Sequence, residues 1–435
     1  SKNKIINQFD KSKNLCQDLL SESVIYEQAE SYDHIISSTP TFSLMKSQGE
    51  ASNGLAASID YYTNYVANLQ KVTKEDIANL KATPGGTFGS CRYKLKDLDE
   101  SYKDYKRIIE VFKAHNIAYL LYNGGNDSAD TCLKIAKFSK ELDYPITAIH
   151  IPKTIDNDLT VTDNCPGFGS VAKYVATSIM EAGFDLESMY NSSTKVFIME
   201  VMGRHAGWIA AASGLASIDN TMPPHIILFP EIVFNETMFL QKVSSVIQTY
   251  GYCVIVVSEG IKNAFGELIS KSDFTDAFGH ETLGGVASFI SSLITNNLSL
   301  KCHYAICDYL QRSARHIASK VDVEQAYKLA YRALELALEG YNSVMPYIKR
   351  VASNPYEWVI DVTILENVAN YEKKLPQGFI TQDGYHITQQ CKEYLKPLIN
   401  GEAEIEYQDG LPKYTKFAHT HIVKKLPIYE YNLRV

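Results

Sequence analysis

The chain has 435 residues, 45% of them hydrophobic and 21% charged, which suffices for a large buried core and about two to three domains at roughly 150 residues each. Its 42 Lys and Arg against 50 Asp and Glu leave a formal net charge of -8, so no overall field attracts a nucleic-acid polyanion, and an anionic small substrate requires a local cationic pocket. No apolar run nears the ~18 residues of a membrane span, the opening Ser1-Lys2-Asn3-Lys4 is polar, and the eight cysteines form no C-x-x-C pair; a cytoplasmic chain with reduced thiols, no signal peptide and no membrane partner is expected.

The first 80 residues are polar, with Ser- and Thr-rich stretches around Ser37 to Ser43 and Ser47 to Ser58 and no clear opening strand. From about residue 99 the pattern changes. Tyr102, Tyr105, Ile109 and Phe112 recur at helical spacing, and the apolar run Ile117 to Tyr122 stops at Asn123-Gly124-Gly125, as a buried strand ending in a glycine turn would. A helix from about Ser128 to Leu142, a strand Ile146 to Ile151, a helix after Gly169, a strand Val196 to Val201 and a helix from about His205 follow. Further strands are predicted at His225 to Phe229, Cys253 to Val257 and His303 to Cys307, and the tail from about Asp361 reads as helical and irregular pieces. Alternation of this kind predicts an α/β fold with doubly wound, mainly parallel sheets, whose ligands lie beyond the carboxyl ends of the strands.

Those strand ends carry the chemistry. Gly124 and Gly125 allow a backbone approach to phosphate at a helix terminus, yet Asp127 in the same turn repels a bare phosphate, a conflict that an intervening divalent cation resolves. After the next strand, Lys153 can neutralise phosphate oxygens, Asp156 can accept a proton from an attacking hydroxyl, and Asp158 can orient the groups around Asp156 or help hold a metal. Arg204, behind Gly203, offers a planar fork for an anion, whereas His205 reads as a hydrogen-bonding residue rather than a base. Glu259 and the segment Tyr309-Leu310-Gln311-Arg312 complete the row, suited to hydroxyls and a second phosphate. Gly167-Phe168-Gly169-Ser170-Val171-Ala172 matches a dinucleotide fingerprint, but Asp163-Asn164-Cys165-Pro166 precedes it instead of a strand, so it is read as a helix start.

Together, Gly85-Gly86-Thr87-Phe88-Gly89-Ser90-Cys91-Arg92, the Gly124 turn, Pro152 to Asp158, Met202-Gly203-Arg204, Glu259 and Tyr309 to Arg312 resemble the phosphofructokinase family in order and spacing, from about Thr83 nearly to the end. Gly203 to Ala210, Gln311 to Lys320 and Phe379-Ile380-Thr381 are similar to its bacterial pyrophosphate-using branch. The resemblance implies two doubly wound subdomains with the active site in the cleft between them, and reversible phosphoryl transfer between pyrophosphate and fructose 6-phosphate with Mg²⁺. It implies Asp156 as the base, with Lys153 and Asp127 beside it. Thr154, Asp156, Met202, Gly203, Arg204, Glu259, Tyr309 and Arg312 would bind the sugar phosphate, with Lys195, often from a neighbouring subunit, on the 6-phosphate. Gly124, Gly125, Arg92 and Lys153 would bind the donor. Asn126 and Asp127 are the expected metal positions, Asn126 standing where many relatives carry a carboxylate. The implied division is a divergent opening segment over 1–84, a donor subdomain over 85–158, a sugar-phosphate subdomain over 159–350, and a segment over 351–435 packing back on the first, in a homodimer or larger assembly. An ATP-using member of the family and a non-catalytic regulatory or scaffold member are the alternatives.

Overall fold

A computed structural model describes residues 79–85, 95–114, 116–219, 221–269, 285–415 and 425–427. Helix α1 (Leu98–Ala114) leads into β1 (Tyr119–Gly124), α2 (Asn126–Glu141) and β2 (Thr147–Pro152). There follow α3 (Phe168–Met189), β3 (Val196–Val201), α4 (Trp208–Ser213), β4 (Ile226–Leu228), α5 (Glu236–Tyr250), β5 (Cys253–Ser258), α6 (Val286–Leu298), β6 (Cys302–Ile306), the short α7 (Leu310–Ser313) and α8 (Lys320–Leu338). The chain continues through β7 (Val344–Ser353), β8 (Tyr356–Ile364), α9 (Gln389–Leu395) and a minimal hairpin of β9 (Tyr407–Gln408) and β10 (Leu411–Pro412).

Two four-stranded sheets result, in the orders β1-β2-β7-β8 and β4-β5-β3-β6. All pairs are parallel except β7 with β8. The second sheet explains the uninterrupted apolar runs of the sequence, because helices cover both of its faces. Val196 and Ile198 of β3, with Cys253, Ile255 and Val257 of β5, pack against Phe239 and Val243 of α5 and Ile290 and Ile294 of α6. Met199 and Val201, with Val254 and Val256, turn to the opposite face and meet Val175 and Ile179 of α3 and Ile209 of α4. The first sheet is divided likewise: Ala148 faces α2, while Ile149 and Ile151 face Leu334 and Ala337 of α8.

Several expectations shift. The helix expected from about His205 starts at Trp208, which leaves residues 202–207 as an irregular loop. The tail is not only helical and irregular: β7 and β8 form a long antiparallel hairpin on the edge of the first sheet. The chain therefore rejoins that sheet at Val344, and a boundary at residue 350 falls inside a strand. The six cysteines among the described residues are free thiols, and no helix among those residues is long and apolar enough to cross a membrane.

The rejected dinucleotide fingerprint begins α3, as expected of a helix start. The Asp322 carboxylate, at the first turn of α8, accepts the Gly167 and Ser170 amides at 2.9 Å each, together with the Ser170 hydroxyl. A side chain already fills the place a ligand phosphate would take. The same contact bolts α8 to α3. Asp322→Ala leaves buried donors unsatisfied and is expected to cost about 2–3 kcal/mol, measured as a lower urea midpoint; an unchanged midpoint would mean that α3 needs no external cap.

Candidate active site

Parallel strands deliver their carboxyl ends to one side of each sheet, and the turns after β1, β2, β3, β5 and β6 converge. The first two are tied directly, the Lys153 amide donating to the Gly124 carbonyl at 2.9 Å. Gly124 must be glycine, since a Cβ there would lie 2.0 Å from the Ser128 hydroxyl. Gly125 serves as N-cap of the 16-residue α2 and contributes no capping side chain, with Asp127 in the helix's first turn. Both polar atoms of the Asn126 amide are buried without a hydrogen-bond partner, as is Oδ1 of Asn123.

The β2 turn is shaped by its own side chains. Thr154 is buried and its hydroxyl accepts the Asp156 amide at 3.1 Å. Asn157 takes a left-handed backbone conformation, φ 54°, and its Oδ1 accepts the Cys165 amide at 2.9 Å. Asp156 is held among opposing charges. Burial raises its pKa, and Lys153, a hydrogen bond from Thr154, Arg312 and His205 pull it back. Burial and then the Asp156 charge push Asp158 to about 7, and the same two causes push Glu259 to about 7, with Arg204 opposing in the second case.

On the other side, Gly203 has φ 129°, a conformation that favours glycine, and an added Cβ would meet the Ala206 carbonyl at 2.7 Å. Its own carbonyl accepts the Ser258 hydroxyl at 2.6 Å, and the Glu259 amide donates to Val201 at 2.9 Å, which fixes the β3 and β5 turns together. The Met202 amide donates to the Gln311 side chain at 3.2 Å, linking β3 to α7. The Arg312 guanidinium lies 4.7 Å from the Tyr309 ring centroid.

The structure thus brings Gly124, Gly125, Asn126, Asp127, Lys153, Thr154 and Asp156 together from the first sheet, and Met202, Gly203, Arg204, Glu259, Tyr309 and Arg312 from the second. Lys195 is not among them. It precedes β3, at the strand's opposite end, where its ammonium donates to the Tyr190 carbonyl at 3.3 Å. Arg92 lies outside the described residues. Sequence reasoning missed the contribution of residues 372–375: Glu372 pairs with His205 at 2.6 Å, and Lys373 donates to loop carbonyls just beyond Asp156. Their only sequence signal was an ordinary charged stretch before Leu375-Pro376. His205 is hydrogen-bonded, as expected, and also lies close enough to Asp156 to favour its ionised form.

Chemically, the Asp156 carboxylate is opposed by Lys153 from the β1–β2 side and by Arg312 and His205 from the β3–β6 side, while Arg204 opposes at Glu259. Asp127 and the unpartnered Asn126 amide offer oxygen ligands that suit Mg²⁺, which keeps several waters and takes few protein ligands. Among the described residues no group of three or more His, Cys, Asp or Glu could enclose a metal by itself.

The phosphofructokinase family profile matches residues 49–337. A pyrophosphate--fructose 6-phosphate 1-phosphotransferase of Halomonas elongata is 52% identical over 378 residues, covering 87% of this chain and 90% of the relative. The crystal structure of a pyrophosphate-dependent phosphofructokinase from Nitrosospira multiformis superposes with a TM-score of 0.76 at 52% identity, over 83% of this chain and 86% of that one. A second, from Marinobacter aquaeolei, gives 0.75 at 49% identity with the same coverage.

The carboxylate cluster makes a direct prediction. An NMR titration of the side-chain carboxyls is expected to find midpoints of about 7 for Asp158 and Glu259. In Asp156→Asn both midpoints should fall, because the lost negative charge had raised them. A midpoint near 4 for either group in the unsubstituted protein would break the cluster apart.

Proposed function

We propose that this chain, which belongs to the phosphofructokinase family, reversibly transfers a phosphoryl group from pyrophosphate to the 1-hydroxyl of fructose 6-phosphate. The products are fructose 1,6-bisphosphate and phosphate, placing the reaction in glycolysis and gluconeogenesis. The observation that carries the reading is Asp156 held between Lys153 and Arg312, with Asp127 in the first turn of the neighbouring helix.

In the forward direction the Asp156 carboxylate accepts the proton of the sugar hydroxyl as its oxygen bonds to the transferred phosphorus. The bond from that phosphorus to the bridging oxygen breaks, and the bridging oxygen leaves with the second phosphate. The transition state is loose, so positioning and charge supply most of the catalysis. Lys153 neutralises oxygens of the transferring and leaving groups. Gly124 and Gly125 let the backbone at the α2 terminus approach the donor, with Arg92 as a further donor ligand. Thr154, Met202, Gly203, Arg204, Glu259, Tyr309 and Arg312 bind the sugar phosphate: the two arginines take anionic oxygens, and Glu259 takes hydroxyls. Mg²⁺, held by Asp127 and Asn126, would supply charge against the pyrophosphate oxygens.

Donor choice follows from Asp127. A side-chain carboxylate there occupies and repels the space that the α-phosphate of a nucleotide requires, and pyrophosphate is short enough to avoid it. Residues 95–158 with α8, β7 and β8 then form the donor half, and residues 159 to about 319 the sugar-phosphate half. Lys195 lies too far along β3 to serve its own site, so its place on the 6-phosphate belongs to another copy in a homodimer or larger assembly. Free thiols suit a cytoplasmic location.

Purified protein assayed with Mg²⁺ and fructose 6-phosphate is expected to turn over with pyrophosphate and not with ATP. Inactivity with both donors in folded protein would support the scaffold alternative, and ATP turnover the nucleotide one. Asp156→Asn is expected to lower kcat by about 10²–10⁴-fold, the usual worth of a positioned base. Lys153→Met should lower pyrophosphate turnover, and Asp127→Gly should weaken pyrophosphate use and open the site to ATP. Normal pyrophosphate kinetics in the last two variants would refute the donor assignment.

A further inference from the structure

The loop that carries Asp156 is under local strain. Asn157 and Val161 both take positive φ, 54° and 70°, and for a β-branched valine that conformation is a true outlier. Such a loop persists only where its surroundings over-determine it. What holds it is a short segment far away in sequence, between β8 and α9. The Lys373 ammonium donates to the carbonyls of Thr162 at 3.0 Å and Asp163 at 2.8 Å, and reaches Oδ1 of Asn157 at 3.4 Å. Its backbone amide donates to the Asp158 carbonyl at 2.7 Å, and Glu372 bridges Leu159 in antiparallel fashion.

The same few residues grip the opposite side of the site. The Glu372 carboxylate meets His205 Nδ1 at 2.6 Å. The Lys373 carbonyl accepts the Trp208 indole N–H at 3.0 Å, and the Leu375 amide donates to Glu231 at 3.1 Å, on the carboxylate oxygen that also accepts the Gly207 amide at 2.9 Å. One stretch of backbone therefore spans from the turn after β2 to the turn after β3. Desolvation pushes the Lys373 ammonium below its ordinary value, with Asp163 and Asp158 among the opposing groups. A lysine in such a place is explained by what it holds, since an apolar side chain of equal length would avoid that cost.

We propose that Glu372 and Lys373 are positioning residues for phosphoryl transfer: Lys373 locks the loop that carries Asp156, Glu372 locks His205, and the backbone joining them sets the distance between the base and the sugar-phosphate loop. The inference rests on the reaction proposed above. It predicts that the segment acts on the chemical step and little on substrate affinity, because neither side chain belongs to the ligand-binding set.

The test uses the full chain with pyrophosphate, Mg²⁺ and fructose 6-phosphate. Lys373→Met, which keeps the length and removes the charge, is expected to lower kcat at least tenfold while both KM values stay within threefold. The Trp208 indole N–H resonance, one of only two in the protein, should keep its position, showing the segment still docked. An unchanged kcat would overturn the proposal. So would a shifted Trp208 signal with KM and kcat collapsing together, which marks a merely structural role. Glu372→Ala, on the accessible side of the segment, provides a second variant in case Lys373→Met does not fold. It should lower kcat, and combining it with His205→Ala should do no further harm beyond His205→Ala alone; additive losses would show that Glu372 does not act through His205. If the unsubstituted protein fails to turn over these substrates, the reaction itself is wrong, a result distinct from failure of the positioning role of Glu372 and Lys373.

Discussion

Three carboxylates, Asp156, Asp158 and Glu259, share one polar cleft, and they coexist there because cations stand around them. Without Lys153, Arg204 and Arg312 the mutual repulsion and the desolvation of these groups would favour their neutral forms more strongly, and the base role proposed for Asp156 requires its ionised form. The opposing charges come from different strand ends: Asp156 and Lys153 from the first sheet, Glu259, Arg204 and Arg312 from the second. The cluster therefore depends on the two sheets keeping their carboxyl ends together, and the interlocking turn bonds described above serve that end. In the proposed role, a carboxylate raised above its ordinary range by burial is also closer in proton affinity to a sugar hydroxyl.

How much of this was legible depends on how local the signal is. The strands of the second sheet announce themselves because both faces are covered by helices, so that Cys253 to Val257 is apolar throughout. The turns after β1, β2 and β3 were recognisable because glycines, lysine and aspartates follow directly on such runs. Hairpin β7–β8 was not, because it lies on the sheet edge with one half exposed: Lys349, Arg350, Glu357 and Asp361 interrupt its apolar pattern, and Pro346 reads against a strand. Lys373 was beyond reach for a different reason. Its acceptors are carbonyls more than two hundred positions away in the chain, and nothing in the residues around it marks a lysine that points inward rather than into water.

The proposed metal position draws on the sequence and the fold together. In the sequence, Asn126 looks like a weakened ligand, a neutral amide beside Asp127 at a position where the family resemblance implies a carboxylate in many members. In the structure both of its polar atoms are buried without partners, an arrangement that buried amides ordinarily avoid. In the proposed site a cation would partner Oδ1 of Asn126 beside the Asp127 carboxylate, which leaves the amide nitrogen for another acceptor, and a neutral amide there would have a benefit of its own. It would lower by one the number of negative charges that incoming pyrophosphate must meet, in a cleft that already holds Asp127, Asp156 and the partly protonated Asp158 and Glu259.

The proposed role of Lys195 meets a geometric limit within one chain. Six residues of β3, at about 3.3 Å each, separate it from the start of the Met202 turn by roughly 20 Å, well beyond the reach of a lysine side chain. Within its own chain it rests against Tyr190, its ammonium 5.5 Å from the ring centroid, and the neighbouring strand β6 is the outer edge of the sheet, with Tyr304 and Ile306 exposed. The cation that the resemblance assigns to the sugar 6-phosphate thus sits beside an open, partly apolar edge and far from the phosphate it would bind. In the homo-oligomer proposed above, a second copy would meet that edge, and a single rigid strand would serve two sites, its carboxyl end building one and its amino end completing the other.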